Sequence, residues 1–206
     1  MRFSAAIIVV FLFKKGTNLI YPNILEMKVL KIQAISALLL LFAFSGASAQ
    51  QVTAASLQVT GLTCSMCSQA TEKSLRTLDF IGTISPDLNK NIFVLTFKKD
   101  KAVNLDLIKK KVKDAGFSVG KLEADFAFNN LKVDENGFAA GKGMTFRFLK
   151  SRNTTLNGKL RAAVVDKGFV PEPLFRQNLK KIDGPSYASG TATVGGEKVR
   201  VYHLSI

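Results

Sequence analysis

The hydrophobic pattern between residues 50 and 124 predicts an alternation of strands and helices. Short β-prone runs predict four strands, at residues 55–60, 80–88, 92–97 and 117–123. Proline cannot donate a hydrogen bond to a sheet ladder, so Pro86 indicates that the second strand lies at a sheet edge.

Two helices are predicted between these strands. Residues 68–78 have a broad but thinly apolar helical face. Residues 104–116 have a clearer apolar stripe, with Asn104 as the N-cap and Gly116 as the C-terminal stop. The order βαββαβ is that of a ferredoxin-like domain, which we expect over residues 50–124.

The second half of the chain, residues 125–206, is predicted to be β-rich. Three strand-like stretches are followed by a short helix that Pro171 opens. Two β-prone runs around Gly195-Gly196 then predict a hairpin. Three strands, a helix and two strands predict an OB-type barrel. The predicted fold class is therefore α+β, and the second domain would serve in partner docking or recognition.

Residues 1–49 read as a leader segment. From Met27, two lysines precede an apolar run at residues 32–44 and the small residues Ala47-Ser48-Ala49. This is the pattern of a secretory signal peptide, cleaved to leave Gln50 as the first residue. We expect translation to start at Met27 and the protein to be exported, either to the periplasm or as a secreted protein. No stable membrane span is expected after cleavage.

The charge of the chain is strongly basic, with 29 Lys and Arg residues against 15 Asp and Glu residues. A net charge of about +10 remains after removal of the predicted leader, which indicates attraction to an acidic partner surface or simply a solvated basic surface. Nucleic acid is not an expected partner outside the cytoplasm. Because the sequence contains no phosphate loop, metalloprotease helix or serine elbow, no enzyme activity is expected.

Cys64 and Cys67 are the only cysteines, too few for a disulfide scaffold. They lie in Gly61-Leu-Thr-Cys-Ser-Met-Cys67, between a predicted strand and a predicted helix. Two thiolates at this spacing can turn towards one ion, and soft sulfur donors favour Cu(I) and Zn(II). Cys67 is expected in or beside the first helical turn, where the helix dipole lowers the pKa of a thiol. Cys64 and Cys67 are therefore the predicted metal ligands.

The cysteine motif resembles Gly-Met-Thr-Cys-x-x-Cys of the heavy-metal-associated domain family, which includes copper chaperones and a mercury-binding protein. The resemblance extends over about residues 54–123 and includes Leu75, Leu78 and Gly116-Phe117. It implies binding of Cu(I), with Zn(II) or Hg(II) as alternatives, and a metal-donor or metal-acceptor protein as partner. It also implies that Phe117 lies near the metal loop, with ordinary core packing as the alternative. The departures from the family pattern are Leu62, Ser68, Thr71 and Phe80.

The predicted function is capture of Cu(I) and its transfer by ligand exchange, in an exported protein. The alternative is an exported thiol-disulfide oxidoreductase that uses the same two cysteines, and inert thiols are a third interpretation. A thioredoxin-like site usually has Trp before the first cysteine and Gly-Pro between the two. This chain has no Trp, and Ser65-Met66 separates its cysteines.

Other candidate residues have ordinary structural interpretations beside the functional ones. His203, the single histidine, is either a further ligand or a packed ring. Met66 and Met144 are thioether candidates for Cu(I), but the family resemblance implies that Met66 points away from the ion, and a core position is the preferred interpretation of Met144. The lysines at positions 109, 110, 111 and 113 form either a solvated helix face or a docking surface for an acidic partner.

Overall fold

The computed structural model describes residues 52–141, 143–194 and 196–206. The predicted leader lies outside these residues. The strands are β1 Val52–Thr60, β2 Ile81–Asp87, β3 Ile92–Phe97, β4 Ser118–Val133, β5 Phe138–Ala140, β6 Thr145–Phe148, β7 Thr154–Val164, β8 Thr191–Val194 and β9 Glu197–Ser205. The helices are α1 Ser65–Arg76, α2 Leu105–Asp114, α3 Glu172–Leu179 and α4 Pro185–Ser189. In these ranges, no helix is long and apolar enough to cross a membrane.

The first six elements form the predicted ferredoxin-like arrangement. Strands β2, β3, β1 and β4 are neighbours in that order, and each adjacent pair is antiparallel. As expected, β2, which contains Pro86, lies at the end of the sheet. Asn104 caps α2 by accepting a hydrogen bond from the backbone N–H of Leu107 at 3.2 Å. Gly116 follows α2 with φ of +91°, a conformation that strongly favours glycine.

Both helices are held by apolar contacts with the sheet. Leu75 of α1 and the α2 residues Leu105, Ile108 and Val112 have no exposed surface. Ser68 and Thr71, which replace apolar residues of the family pattern, are also buried. The Thr71 hydroxyl donates to the Cys67 carbonyl oxygen at 3.1 Å, which satisfies its hydrogen-bonding capacity inside the core. The core on the α1 side therefore tolerates these polar substitutions.

Strand β4 connects the two halves of the chain, because it continues nine residues beyond the predicted boundary at residue 124. Its residues 118–126 pair with β1 on one side, and its residues 122–133 pair with β7 on the other. The sheet order continues as β4-β7-β9-β6-β5, with β8 paired to β9. One cluster of buried apolar residues includes Leu57 and Leu95 of the first half and Phe146 and Leu204 of the second. The domain boundary at residue 124 therefore remains a prediction. In the structure, strands from both sides of this residue belong to one sheet.

The structure does not confirm the OB-type barrel predicted for the second half. Over the described residues, the sheet runs as an open path from β2 to β5 and does not close. One reason is the length of β4. Its buried apolar residues extend from Val119 to Val133, and this single strand pairs with both β1 and β7. A second reason is α4, which forms where the sequence predicted a strand starting at Ala188. Pro185 opens this short helix, and Gly190 ends it with φ of +70°.

Four phenylalanine rings form the centre of the second half. Phe126, Phe128, Phe146 and Phe148 lie on β4 and β6, with ring centroids of contacting pairs 5.4–6.1 Å apart. A smaller cluster contains Val165, Val170, Phe175 and Tyr187 and packs α3 and α4 against the end of β7. These contacts make the second half a packed extension of the ferredoxin-like sheet.

Candidate metal centre

The cysteine loop begins with a sharp change of direction after β1. Gly61 has φ of +92°, which a residue with a side chain adopts only with strain. A Cβ atom at this position would lie 3.6 Å from the ring of Phe117, so the ring packs beside the start of the loop. Phe117 is half-buried and also contacts the main core, consistent with both interpretations of this residue. Leu62 is buried and anchors the loop to the core.

The two cysteines lie at the N-terminal end of α1. Cys64 is the N-cap, with extended backbone, and its Sγ accepts a hydrogen bond from the Cys67 backbone N–H at 3.3 Å. Cys67 is in the first helical turn, as the sequence indicated. The Sγ atoms are 2.8 Å apart and both residues are free thiols. Cys64 is exposed and Cys67 is half-buried, so the pair is accessible from solvent on one side.

The pKa of Cys67 is below its usual value. The largest cause is the hydrogen bond from the Cys64 side chain to the Cys67 sulfur, which stabilises the thiolate. Burial opposes this effect, and hydrogen bonds with the backbone of Thr63 and Cys64 add to the lowering. A metal ligand must be a thiolate, so a lowered pKa reduces the competition from protons near neutral pH.

The chemistry of this pair is that of a small, soft-donor site. A metal–sulfur bond of about 2.3 Å requires the two sulfurs to separate to roughly 3.8–4.6 Å, depending on the coordination angle. Rotation of the exposed Cys64 side chain can provide this movement without a change in α1. Across the described ranges, no group of three or more His, Cys, Asp or Glu residues is arranged to hold a metal ion. The cysteine pair therefore offers two protein ligands, which suits an ion of low coordination number.

Comparison with known proteins places this geometry in a family. Residues 56–118 match the model of the heavy-metal-associated domain. Apo-CopP from Helicobacter pylori is 32% identical, and the match covers 97% of that chain and 32% of this one, with a TM-score of 0.29. The chain belongs to the heavy-metal-associated domain family. The matched residues lie within the ferredoxin-like arrangement of β1, α1, β2, β3, α2 and β4, and they include the cysteine loop.

Two further solved structures are similar to the heavy-metal-associated domain of this chain. The yeast copper transporter domain Ccc2a, described in apo and Cu(I)-loaded states, is 31% identical; the match covers 88% of it and 32% of this chain, with a TM-score of 0.29. The Atx1–Cu(I)–Ccc2a complex is 29% identical over 93% of its matched chain and 35% of this one, with a TM-score of 0.29. No curated protein matches the chain.

The methionines and lysines that the sequence singled out lie in different environments. Met66, in the first turn of α1, is exposed. Met144 is half-buried and packs against the main core. Two of the four α2 lysines named from the sequence form ion pairs within the helix. Lys109 contacts Asp106 at 2.7 Å, and Lys110 contacts Asp114 at 2.7 Å. The basic face of α2 is thus partly neutralised by its own helix.

His203 is a packed ring whose two nitrogens are both occupied. Its Nδ1 lies 2.7 Å from Asp166 Oδ1, and its Nε2 lies 3.1 Å from Ser186 Oγ. The backbone N–H of His203 also donates to Asp166 Oδ2 at 3.0 Å. The ring packs edge-on against Tyr187. Neither ring nitrogen is free to bind a metal in this arrangement, so the further-ligand interpretation of His203 receives no support.

Sequence reasoning missed that His203 forms a Ser–His–Asp chain with Ser186 and Asp166. The order of hydrogen bonds matches that of serine hydrolases. However, Ser186 is only 4% exposed and His203 is fully buried, and Arg147 Nη1 donates to Ser186 Oγ at 3.1 Å. An acyl substrate has no access to the Ser186 hydroxyl, so we interpret the hydrogen bonds among Ser186, His203 and Asp166 as structural and not catalytic. The three residues are 17 and 37 positions apart, and no local motif could have connected them.

A second cluster of polar side chains links α2 of the heavy-metal-associated domain to β9. Asp106 accepts hydrogen bonds from Arg200 Nε at 2.8 Å and from the Tyr202 hydroxyl at 2.9 Å. Burial alone would raise the pKa of Asp106. Hydrogen bonds and charges from Arg200 and Lys109 outweigh this effect and hold the pKa at about 2. The carboxylate is therefore ionised throughout the physiological pH range. Its contacts with Arg200 and Tyr202 link α2, in the first half of the chain, to β9, in the second half.

Proposed function

We propose that this protein is an exported heavy-metal-binding protein that captures Cu(I) between Cys64 and Cys67 and transfers it to a partner protein by ligand exchange. The observation that carries the proposal is the pair of free thiols at the start of α1, one exposed and one with a lowered pKa. The membership of the heavy-metal-associated domain family supports metal binding. Cu(I) is favoured over Zn(II) because two thiolates, with no third His, Cys, Asp or Glu ligand arranged beside them in the described residues, suit its low coordination number, whereas protein Zn(II) usually has four ligands. Hg(II) also accepts two thiolates and is the alternative ion.

Transfer by this site needs no oxidant or reductant. A thiolate of the partner forms a new bond to the ion, and the bond to one of the two cysteines then breaks. The freed cysteine sulfur takes up the proton that the incoming thiol released, and the metal remains Cu(I) throughout. Exposure of Cys64 allows the incoming sulfur to approach, and the half-buried Cys67 would hold the ion until the exchange is complete.

The proposed export is supported by the segment from Met27 to Ala49, which has the pattern of a cleaved signal peptide. Mass spectrometry of the protein from the periplasm or medium should find a chain that starts at Gln50. A full-length chain in the cytoplasmic fraction would contradict export.

Competition with a Cu(I) chelator tests the metal proposal. We expect the reduced protein to hold Cu(I) with a dissociation constant far below about 1 μM. The Cys64→Ser/Cys67→Ser double variant should lose this binding, and the Ser65→Ala variant is the matched control in the same loop. Equal, micromolar or weaker binding by the wild type and the double variant would contradict the proposal.

The second candidate is a thiol-disulfide oxidoreductase, which the contact between the two sulfurs favours. A dithiol in contact can also form a disulfide, and a lowered pKa increases the reactivity of a thiolate. Reduction of insulin disulfides by the wild type, but not by the double variant, would support this function. We expect no such activity above that of free dithiol.

A further inference from the structure

A buried hydroxyl group lies beside the cysteine loop, at the residue that follows Cys67. Ser68 is only 5% exposed, and it stands where the family pattern has an apolar residue. Among the described residues, the Ser68 hydroxyl has no hydrogen-bond partner, whereas the hydroxyl of the buried Thr71 donates to the Cys67 carbonyl oxygen. A buried hydroxyl without a partner costs free energy. Ser68 therefore provides a hydrogen-bond donor that the fold itself does not use.

Ser68 lies one helical turn beyond Cys64 in α1. The Ser68 backbone N–H donates to the Cys64 carbonyl oxygen at 3.3 Å, and this bond closes the turn between them. Residues four apart in a helix have Cβ atoms about 5–6 Å apart, and the side chain of the later residue tilts back towards the N-terminus. Rotation of the two side chains about their Cα–Cβ bonds can therefore bring the Ser68 hydroxyl to the Cys64 sulfur.

The two cysteine sulfurs differ in the donors around them. Hydrogen bonds from the backbone and the hydroxyl of Thr63 contribute to the lowered pKa of Cys67. Cys64 Sγ accepts from the Cys67 backbone N–H and contacts the other sulfur at 2.8 Å. An ion between the sulfurs separates them, so Cys64 then loses the contact with Cys67 Sγ. Its thiolate is left with one donor among the described residues.

A Cu(I) ion held by two thiolates forms a centre with one net negative charge. Hydrogen bonds to an ionised acceptor are stronger than those between neutral groups, and they stabilise the charged form of a thiol. Water can reach the exposed side of Cys64, but the side that faces the core requires a protein donor. Ser68 is on the buried face of α1, together with Thr71 and Leu75.

We propose that the Ser68 hydroxyl donates a hydrogen bond to the Cys64 sulfur when the cysteine pair holds Cu(I), which makes Ser68 a positioning residue of the metal centre. This inference rests on the proposed function and adds a residue that retains the ion without binding it. The hydrogen bond stabilises the Cys64 thiolate and fixes the direction of its side chain. Without the ion, the fold gains nothing from the hydroxyl.

Competition with a Cu(I) chelator measures the contribution of this hydroxyl in the reduced protein. We expect Ser68→Ala to bind Cu(I) about tenfold more weakly than the wild type, as loss of a hydrogen bond to a metal ligand does in other sites. Ser68→Thr and Ser68→Val form a matched pair of equal shape, and the threonine variant should bind more tightly by a similar factor. Ser74→Ala is the control in the same helix, because its hydroxyl donates to the Lys111 carbonyl oxygen at 2.8 Å. It should bind Cu(I) like the wild type.

Urea unfolding without metal separates this role from a structural one. Ser68→Ala should be at least as stable as the wild type, because the substitution removes a buried hydroxyl that has no partner. A loss of stability in Ser68→Ala that accompanies the weaker binding would assign the hydroxyl to the fold and overturn the inference.

Equal Cu(I) affinity of Ser68→Ala and the wild type, or of the threonine and valine variants, would also overturn it and leave the proposed function intact. Wild-type binding no tighter than that of Cys64→Ser/Cys67→Ser would instead contradict the proposed function itself.

Discussion

Replacement of Asp106 by Asn tests how much the contacts between α2 and β9 stabilise the fold. The variant keeps the size of the side chain but removes the negative charge of the carboxylate to which Arg200, Tyr202 and Lys109 donate hydrogen bonds. The pKa of Asp106 is about 2 instead of 3.8, and each pKa unit corresponds to about 1.4 kcal/mol. About a third of the side chain is exposed. We therefore expect, after allowance for solvent screening, a loss of about 2 kcal/mol in the free energy of unfolding.

The loss should depend on pH with a definite sign. A carboxylate with a depressed folded-state pKa contributes its full stabilisation above the unfolded-state pKa of about 3.9. The contribution disappears as the pH falls towards the folded-state pKa of about 2. Urea unfolding should therefore show the full difference between wild type and Asp106→Asn at pH 7, and a shrinking difference between about pH 4 and pH 2. The midpoint of thermal unfolding at pH 7 should fall by about 4–8 °C.

Asp114→Asn is the matched control, because it removes a carboxylate from the same helix. Its ion pair with Lys110 is well exposed, so the expected loss is below about 0.5 kcal/mol. Equal losses in the two variants, or a loss in Asp106→Asn that does not change down to pH 2, would refute the reasoning. Either result would mean that the contacts of Asp106 with β9 do not stabilise the fold.

Three other variants test separate parts of the structure. Cys64→Ala should raise the pKa of Cys67, because it removes the Cys64 thiol, whose hydrogen bond is the largest cause of the lowering; thiolate absorbance or alkylation rates against pH measure this, and an unchanged pKa would contradict it. Ser186→Ala should cost about 1–3 kcal/mol in urea unfolding, because it leaves buried polar partners unsatisfied, yet leave Cu(I) affinity unchanged. Labelling of wild-type Ser186 by a fluorophosphonate would contradict its structural role. Phe146→Ala should cost about 3–5 kcal/mol, since the ring is fully buried between three others; a loss below about 1 kcal/mol would contradict the described core.

Local signals sufficed for the heavy-metal-associated domain. The bounds of β3, the Asn104 cap and the stop at Gly116 follow from apolar alternation and from residue types that suit only a few conformations. The edge position of β2 follows from the missing donor of Pro86. Each of these signals acts within a few residues of chain, where backbone sterics determine the outcome. The position of Cys67 in or beside the first turn of α1 was also recognised, although the predicted helix began at Ser68 and α1 begins at Ser65.

The second half could not be predicted in the same way, because its arrangement depends on long-range pairing. The alternation of β4 indicates a strand but not that β1 and β7 share it as a partner. Parallel pairing of β6 with β9 likewise has no local signal. The Ser186–His203–Asp166 network exists only after β7, α4 and β9 have assembled.

X-ray absorption spectroscopy of the Cu(I)-loaded protein identifies the atoms that bind the ion and so tests directly whether Cys64 and Cys67 are the ligands. We expect one Cu(I) per chain with sulfur atoms as its nearest ligands, and loss of this ion when Cys64 and Cys67 are both replaced by serine. A first shell of nitrogen or oxygen, or the same spectrum from the variant, would contradict the claim that these two thiolates form the metal centre.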